Sequence, residues 1–198
     1  EHHGQDSAER DGADEAPVIE ASHLVREFGR FRAVNDVSFR VASGEVFGLL
    51  GANGAGKTTT FRMLCGLLPV TEGSVRVAGY DLRHAASRAR ANIGYMAQQF
   101  SLYCELSVHD NLVFVGRIYG LHGKRRQQRM QWALEHFGLG PFRRRKAGDL
   151  PLGYRQRLAL AAAMIHEPRI LFLDEPTSGV DPLARREFWL RISAFARS

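Results

Sequence analysis

Gly51-Ala52-Asn53-Gly54-Ala55-Gly56-Lys57-Thr58 is the stretch that decides how the rest of this sequence is read. The eight residues satisfy the pattern G-x-x-x-x-G-K-[ST] at every position. Glycines in such a loop let successive backbone N–H groups turn inward around phosphate oxygens. Immediately upstream, Val46 to Leu50 is a short apolar run, which predicts a buried strand. Downstream, Thr58 to Leu68 predicts a helix closed by Pro69. That helix would point its positive N-terminal end at the anion held in the loop. Lys57 is then expected to reach the β- and γ-phosphates, and the Thr58 hydroxyl to ligate Mg²⁺. The bland reading, a glycine-rich turn, leaves the strand before and the helix after unexplained.

A second anchor lies far along the chain. Ile170-Leu171-Phe172-Leu173-Asp174-Glu175-Pro176 is an apolar strand ending in two acids. Such an ending puts charge at the carboxyl edge of a sheet, where α/β proteins bind ligands. Asp174 is expected to hold Mg²⁺, directly or through water. Glu175 is expected to polarise an attacking water. Adjacent side chains in a strand point opposite ways, so both can face one site only if the backbone bends at the strand end. Taken alone, two acids after a strand read as a solvated loop. Paired with a phosphate loop, they read as the other half of a nucleotide site.

Working outward, the 198 residues are 44% apolar and 24% charged, ordinary for a folded domain and enough for a core without disulfides. The longest apolar run, Leu158 to Ile165, is far short of the ~18–20 residues that span a bilayer. Cys65 and Cys104 are too few for a disulfide framework and lack metal-ligand company, which favours a reducing compartment. The net charge of +6 is divided unevenly: seven acids and one base fall in residues 1–20, and 26 bases and 14 acids in the remainder. Residues 1–16 are polar and acidic and read as a disordered tail or interdomain linker. The ordered domain is expected over 17–198.

Further along, Val18 to Val41 alternates loosely and suits one or two half-buried strands, with Gly29 as a break. Val75, Val77 and Ile93 to Met96 mark further strands. Between about 100 and 165 the pattern becomes helical. Ser107 and Asp110 resemble a capping box ahead of a helix that Gly120 ends. A second helix is predicted from Lys124 to Phe137, a third from Leu152 to Ile165, and a last one from Leu183 to Phe195. The fold class is therefore α/β: a core with a β-rich N-terminal part, interrupted by a helical insertion.

These motifs together resemble the nucleotide-binding domain of the ATP-binding-cassette (ABC) family, a P-loop NTPase fold, from about Val18 to the C-terminus. Gly51 to Thr59 resembles the family's Walker A motif, which implies ATP contacts from Gly51, Asn53, Gly54, Ala55, Gly56, Lys57, Thr58 and Thr59. Ile170 to Pro176 resembles Walker B, with Glu175 as the catalytic glutamate. Gln98 stands where the family keeps the glutamine that senses Mg²⁺ and water and hinges the helical subdomain. Ser178-Gly179-Val180-Asp181 resembles the D-loop that crosses a dimer interface. Phe28 occupies the place of the aromatic that stacks on adenine, where the family more often has tyrosine; the competing reading is a buried core ring.

Two departures from the family pattern are visible. Its Leu-Ser-Gly-Gly-Gln signature falls on Leu150-Pro151-Leu152-Gly153-Tyr154. Gly153 is kept, but the serine expected to hydrogen-bond the γ-phosphate is Pro151, which has no hydroxyl and no N–H. The family's switch histidine follows one strand beyond the helix in which this sequence stops, and His166 precedes Walker B. The resemblance thus implies a piece that lacks its C-terminal part, begins after a linker, and hydrolyses ATP poorly alone.

The resemblance is strongest to the drug-exporting branch, including bacterial subunits with two such domains in tandem. It implies an ATPase motor using ATP and Mg²⁺. Its partners would be a second nucleotide-binding domain and transmembrane permease subunits, and its place the cytoplasmic face of the inner membrane. The basic clusters Lys124-Arg125-Arg126 with Arg129, and Arg143-Arg144-Arg145-Lys146, read either as a solvated face or as a surface near anionic headgroups. No aromatics interleave with them as a nucleic-acid platform requires, so no nucleic acid is expected. The alternative function is a soluble ABC-family ATPase acting on ribosomes or nucleic acid. A small-molecule phosphotransferase is disfavoured by the D-loop and Gln98.

Overall fold

The computed structural model describes residues 16–48, 56–97 and 101–196. In the first half, β1 (Ile19–Phe28) and β2 (Phe31–Val41) form a hairpin. The other edge of β1 carries β3 (Glu72–Val77), which pairs with the short β4 (Tyr80–Asp81). The sheet order is β2-β1-β3-β4, antiparallel throughout. The loose alternation of the sequence here has a cause in the register. It slips between Ala21 and Leu24, where His23 takes a left-handed φ of 51°, so Ala21 and Leu24 both face the core although they are an odd number apart.

The second sheet is β5 (Ile93–Met96) beside β6 (Ile170–Leu173), parallel, with Ile93 opposite Ile170 and Met96 opposite Leu173. It lies between two cores, as a parallel pair should. One core gathers the antiparallel sheet, α1 (Lys57–Leu64), Ile93, Ile170 and Phe172. The other gathers Met96 and a set of helices: α3 (Val108–Ile118), α4 (Gly123–His136), α5 (Leu152–Met164) and α6 (Pro182–Ala196), with Leu171 and Leu173 packed against it.

Local chemistry sets the helix ends. Ser107 caps α3: its Oγ accepts from the Asp110 amide at 3.0 Å and donates to the Asp110 carboxylate at 2.6 Å. The serine half of the capping box is made, while the aspartate standing in for glutamate reaches the Ser107 hydroxyl. Gly120 and Gly138 follow the ends of α3 and α4, as their spacing predicts. One helix was not legible in the sequence: α2 (Leu82–Arg90), started by Asp81, whose carboxylate accepts from the Arg83 amide.

Two expectations are corrected. The run from Val46 is not a buried strand where it is described: residues 46–48 join no ladder, and Val46 and Phe47 are 52% and 44% exposed. An apolar run becomes a buried strand only when it finds a pairing edge. Among the described residues 46–48 find none, and Phe47 instead stacks on Phe39 of β2 at 5.0 Å. Residues 49 and 50 lie outside the described part. The helix after the phosphate loop also ends earlier than Pro69 suggests. Gly66 adopts φ 64° and donates to the Met63 carbonyl, while Leu67 donates to that of Arg62. That paired closure stops α1 at Leu64, a full turn before the proline. Of the acidic tail expected over residues 1–16, only Ala16, exposed and in no element, lies within the described part.

Candidate nucleotide site

The start of α1 is built by its glycine. Gly56 takes φ 80°, and a Cβ there would collide with the Ala33 backbone oxygen of β2. Only glycine fits both demands, so β2 and the loop end are locked against each other. Three hydroxyls follow in a row and part company. Thr60 is buried and donates its Oγ–H to the Gly56 carbonyl at 3.0 Å. Thr58 is exposed and Thr59 half-buried, leaving these two at the helix start for a ligand. Lys57 is the first helical residue.

Asp174 and Glu175 leave β6 in different ways. Asp174 extends the ladder by one step, its amide donating to the Met96 carbonyl at 2.9 Å. Two residues after Phe172, it lies on the same face of the strand. That face looks toward α1, because Phe172 meets Phe61 of α1 edge-on at 5.8 Å. Tyr95 Oη donates to Asp174 Oδ2 at 3.3 Å. Burial, followed by the Asp174 charge, pushes the Tyr95 phenol up to about 12 and the buried Cys65 thiol up to about 12. Both therefore stay protonated beside the carboxylate at neutral pH. Glu175 takes φ 46°, left-handed and uncommon for a residue with a side chain. The bend that would let both acids serve one site is thus present, closed by the Ser178 amide on the Glu175 carbonyl.

The remaining candidates divide. Phe28 is 46% exposed at the end of β1, with the Arg26 guanidinium 4.5 Å from its ring centre, so it is not a core ring. Asp181 caps α6, its Oδ1 accepting from the Leu183 amide. Gly153 lies in the first turn of α5, where an added Cβ would meet nothing within 4 Å. Pro151 is the N-cap of that helix and offers no side-chain cap. Gln98, Gly51, Asn53, Gly54 and Ala55 lie outside the described residues.

Two residues near the site were not singled out from the sequence. Tyr95 is one. The other is Gln156, 3% exposed inside α5, whose Nε2 donates to the Pro176 carbonyl at 2.6 Å, directly after Glu175. A glutamine within a helix of small apolar residues was the available signal. His166 is structural: its ring stacks on Tyr119 at 3.5 Å, Nε2 lies 3.0 Å from the Ile93 carbonyl oxygen, and burial lowers its pKa.

A divalent cation fits this donor set. Among the described residues no cluster of three His, Cys, Asp or Glu side chains could hold a metal. A magnesium ion would instead take the Thr58 hydroxyl and the Asp174 carboxylate with phosphate and water oxygens, the usual economy of magnesium. Asp174 is half-buried and has one oxygen committed to Tyr95.

A helix opening on Lys57 behind a locked glycine, beside a strand ending in Asp174 and Glu175, defines a nucleotide-binding α/β module. Residues 34–178 match the model of the family described as ABC transporter. The chain is 54% identical over 177 residues to a probable multidrug ABC transporter ATP-binding protein, YbhF, of Escherichia coli, covering 89% of this chain and 31% of that protein. It is 40% identical over 177 residues to the daunorubicin resistance ATP-binding protein DrrA3 of Streptomyces coeruleorubidus, covering 89% and 55%. Among solved structures it resembles cbiO1 of Clostridium perfringens, titled part of the ABC transporter complex cbiONQ, with TM-score 0.84 and 25% identity, covering 92% of this chain and 75% of that one. The chain belongs to the ABC transporter family, as an ATP-binding domain. It spans about a third of the length of YbhF and about half that of DrrA3. Among the described residues no helix is long and apolar enough to cross a membrane.

Proposed function

We propose that this domain binds and hydrolyses ATP to drive a membrane exporter, with small drug-like compounds as cargo. The observation that carries the reading is the joint placement of α1 and the end of β6: Asp174 lies on the face of β6 that looks toward the phosphate-loop helix. Lys57 and the helix start would hold the β- and γ-phosphates. Thr58 and Asp174 would hold Mg²⁺, which supplies charge neutralisation on the phosphates when bound. Glu175 would accept the proton of the attacking water. Gln98 would sense Mg²⁺ and the attacking water, and the Phe28 ring would stack on adenine. The chemistry asks the protein for positioning and charge, not for a covalent intermediate.

A second such domain would complete the site with its signature, while Gly153 and the α5 start of this one would face the other nucleotide, and Asp181 the interface. Pro151 removes one hydroxyl from that second site. The permease would dock on the helical insertion, where Tyr103 and Phe114 meet edge-on at 4.7 Å and Ile118 is 64% exposed. Names of the relatives, multidrug transporter and daunorubicin resistance, support export as the process; its place would be the cytoplasmic face of the cell membrane. The test is nucleotide binding and turnover. Lys57→Ala should abolish Mg-ATP binding, and Glu175→Gln should keep binding while removing most turnover of the assembled transporter. Unchanged ATP affinity in Lys57→Ala would refute the reading.

A further inference from the structure

Tyr95 stands in β5 directly opposite Phe172 of β6. The period of two along a strand puts Asp174 on that same face, and there the Tyr95 hydroxyl donates to Asp174 Oδ2 at 3.3 Å. The ring has little freedom, since it packs against the core that contains Met63, Leu64 and Cys65 of the α1 end. A hydroxyl on a fixed ring is a fixed donor, able to turn only its hydrogen. The main chain of Asp174 is held by the same strand, through the Met96 carbonyl. β5 therefore grips Asp174 at two points, backbone and carboxylate, and leaves Oδ1 as the oxygen not bonded to Tyr95.

We propose that Tyr95 is a positioning residue for Asp174, holding one carboxylate oxygen so that the other is presented to the magnesium ion of bound ATP. The inference rests on the reading of Asp174 as the acid on the magnesium side. At 3.3 Å the bond is long for a hydroxyl donor, so its role is directional: it selects one rotamer of a group that otherwise swings about two bonds. Tyr95 touches neither nucleotide nor metal in this scheme; it acts through Asp174.

The experiment uses Mn²⁺ as the probe, with its binding to the chain read by electron paramagnetic resonance in the presence of ATP. Tyr95→Phe keeps the ring and loses the donor. It should weaken Mn²⁺ binding about fivefold, what an ordinary hydrogen bond is worth. ATP binding measured in EDTA should not change. 4-Aminophenylalanine at position 95 restores a donor and should recover most of the Mn²⁺ affinity. Asp174→Asn should weaken Mn²⁺ binding, and adding Tyr95→Phe to it should do nothing more. Parental Mn²⁺ affinity in Tyr95→Phe, an equal loss of ATP binding in EDTA, or no rescue by the amino analogue would each overturn the positioning role. If Asp174→Asn itself leaves Mn²⁺ affinity intact, the magnesium reading of Asp174 fails instead.

Discussion

Gln156→Leu isolates the contact between α5 and the turn that carries Glu175. Leucine has nearly the volume of glutamine, so packing inside the helical core is preserved. What is lost is one donor. The Pro176 carbonyl, reached by Gln156 Nε2 at 2.6 Å, is left without it. With Gln156 3% exposed, water has poor access to replace the bond. An orphaned buried acceptor costs about 1–3 kcal/mol. For a domain of this size, each kcal/mol lowers the melting temperature by about 2–4 °C, so Gln156→Leu should melt about 2–12 °C below the parent. The loss should not stay local. Glu175 holds an uncommon left-handed φ of 46°, and such conformations cost about 1–3 kcal/mol and persist only when neighbours over-determine them. Releasing Pro176 removes one of those determinants. Thermal unfolding followed by circular dichroism measures the first effect. Amide exchange of residues 175–178 measures the second, and should quicken more than exchange in α5 itself. A melting temperature within 1 °C of the parent would refute the claim that this hydrogen bond holds the turn.

Two further outcomes follow from the same structure. Gly56→Ala should destabilise the fold and weaken nucleotide binding together, because φ 80° costs a side-chain-bearing residue about 1–2 kcal/mol and its Cβ meets the Ala33 oxygen; urea titration with and without ATP would show it. His166 should make stability fall with acid: its folded pKa is depressed by burial, so the unfolded chain binds more protons below the usual value near 6.5, and stability present at pH 7 is lost as pH drops through that value toward the lower folded one. His166→Gln should flatten this part of the pH–stability curve, measured by urea midpoints between pH 7.5 and 5.

What was legible in the sequence follows the range of the forces involved. Ile93–Met96 and Ile170–Leu173 could be read to the residue because a short β-rich run between breaks is a local signal. The capping of α3 was legible for the same reason, since Ser107 and Asp110 are three apart. Pro69 misled because an earlier glycine, Gly66, closes the helix by itself. Val46 and Phe47 misled because hydrophobicity says that a segment wants cover, not that a strand edge is there to supply it. The contacts of Tyr95 and Gln156 were not legible for a different reason. The partner of Tyr95 is 79 residues away and that of Gln156 is 20 away, so each needs the register of packed elements. α5 hides its glutamine further: it is buried on nearly every side, so periodicity does not mark one face as special.

Consecutive acids in one strand end illustrate how the fold divides a task. Asp174 still belongs to the sheet: its amide completes a ladder step, its side chain takes the α1 face, and Tyr95 meets it there. Glu175 belongs to the turn: its φ is left-handed, its carbonyl receives the Ser178 amide, and the next carbonyl is held by α5. The first acid is therefore referred to β5 and the phosphate-loop helix, the second to α5. On the proposed function, α5 begins at the residues that face the other nucleotide of a paired assembly, and four residues after Leu152 it reaches the carbonyl behind Glu175. A shift of that helix start would reach the Glu175 turn through one buried hydrogen bond, whereas Asp174, tied to β5, would keep its place. On that reading the two sites of a pair would be joined through α5 of each domain as well as across the interface.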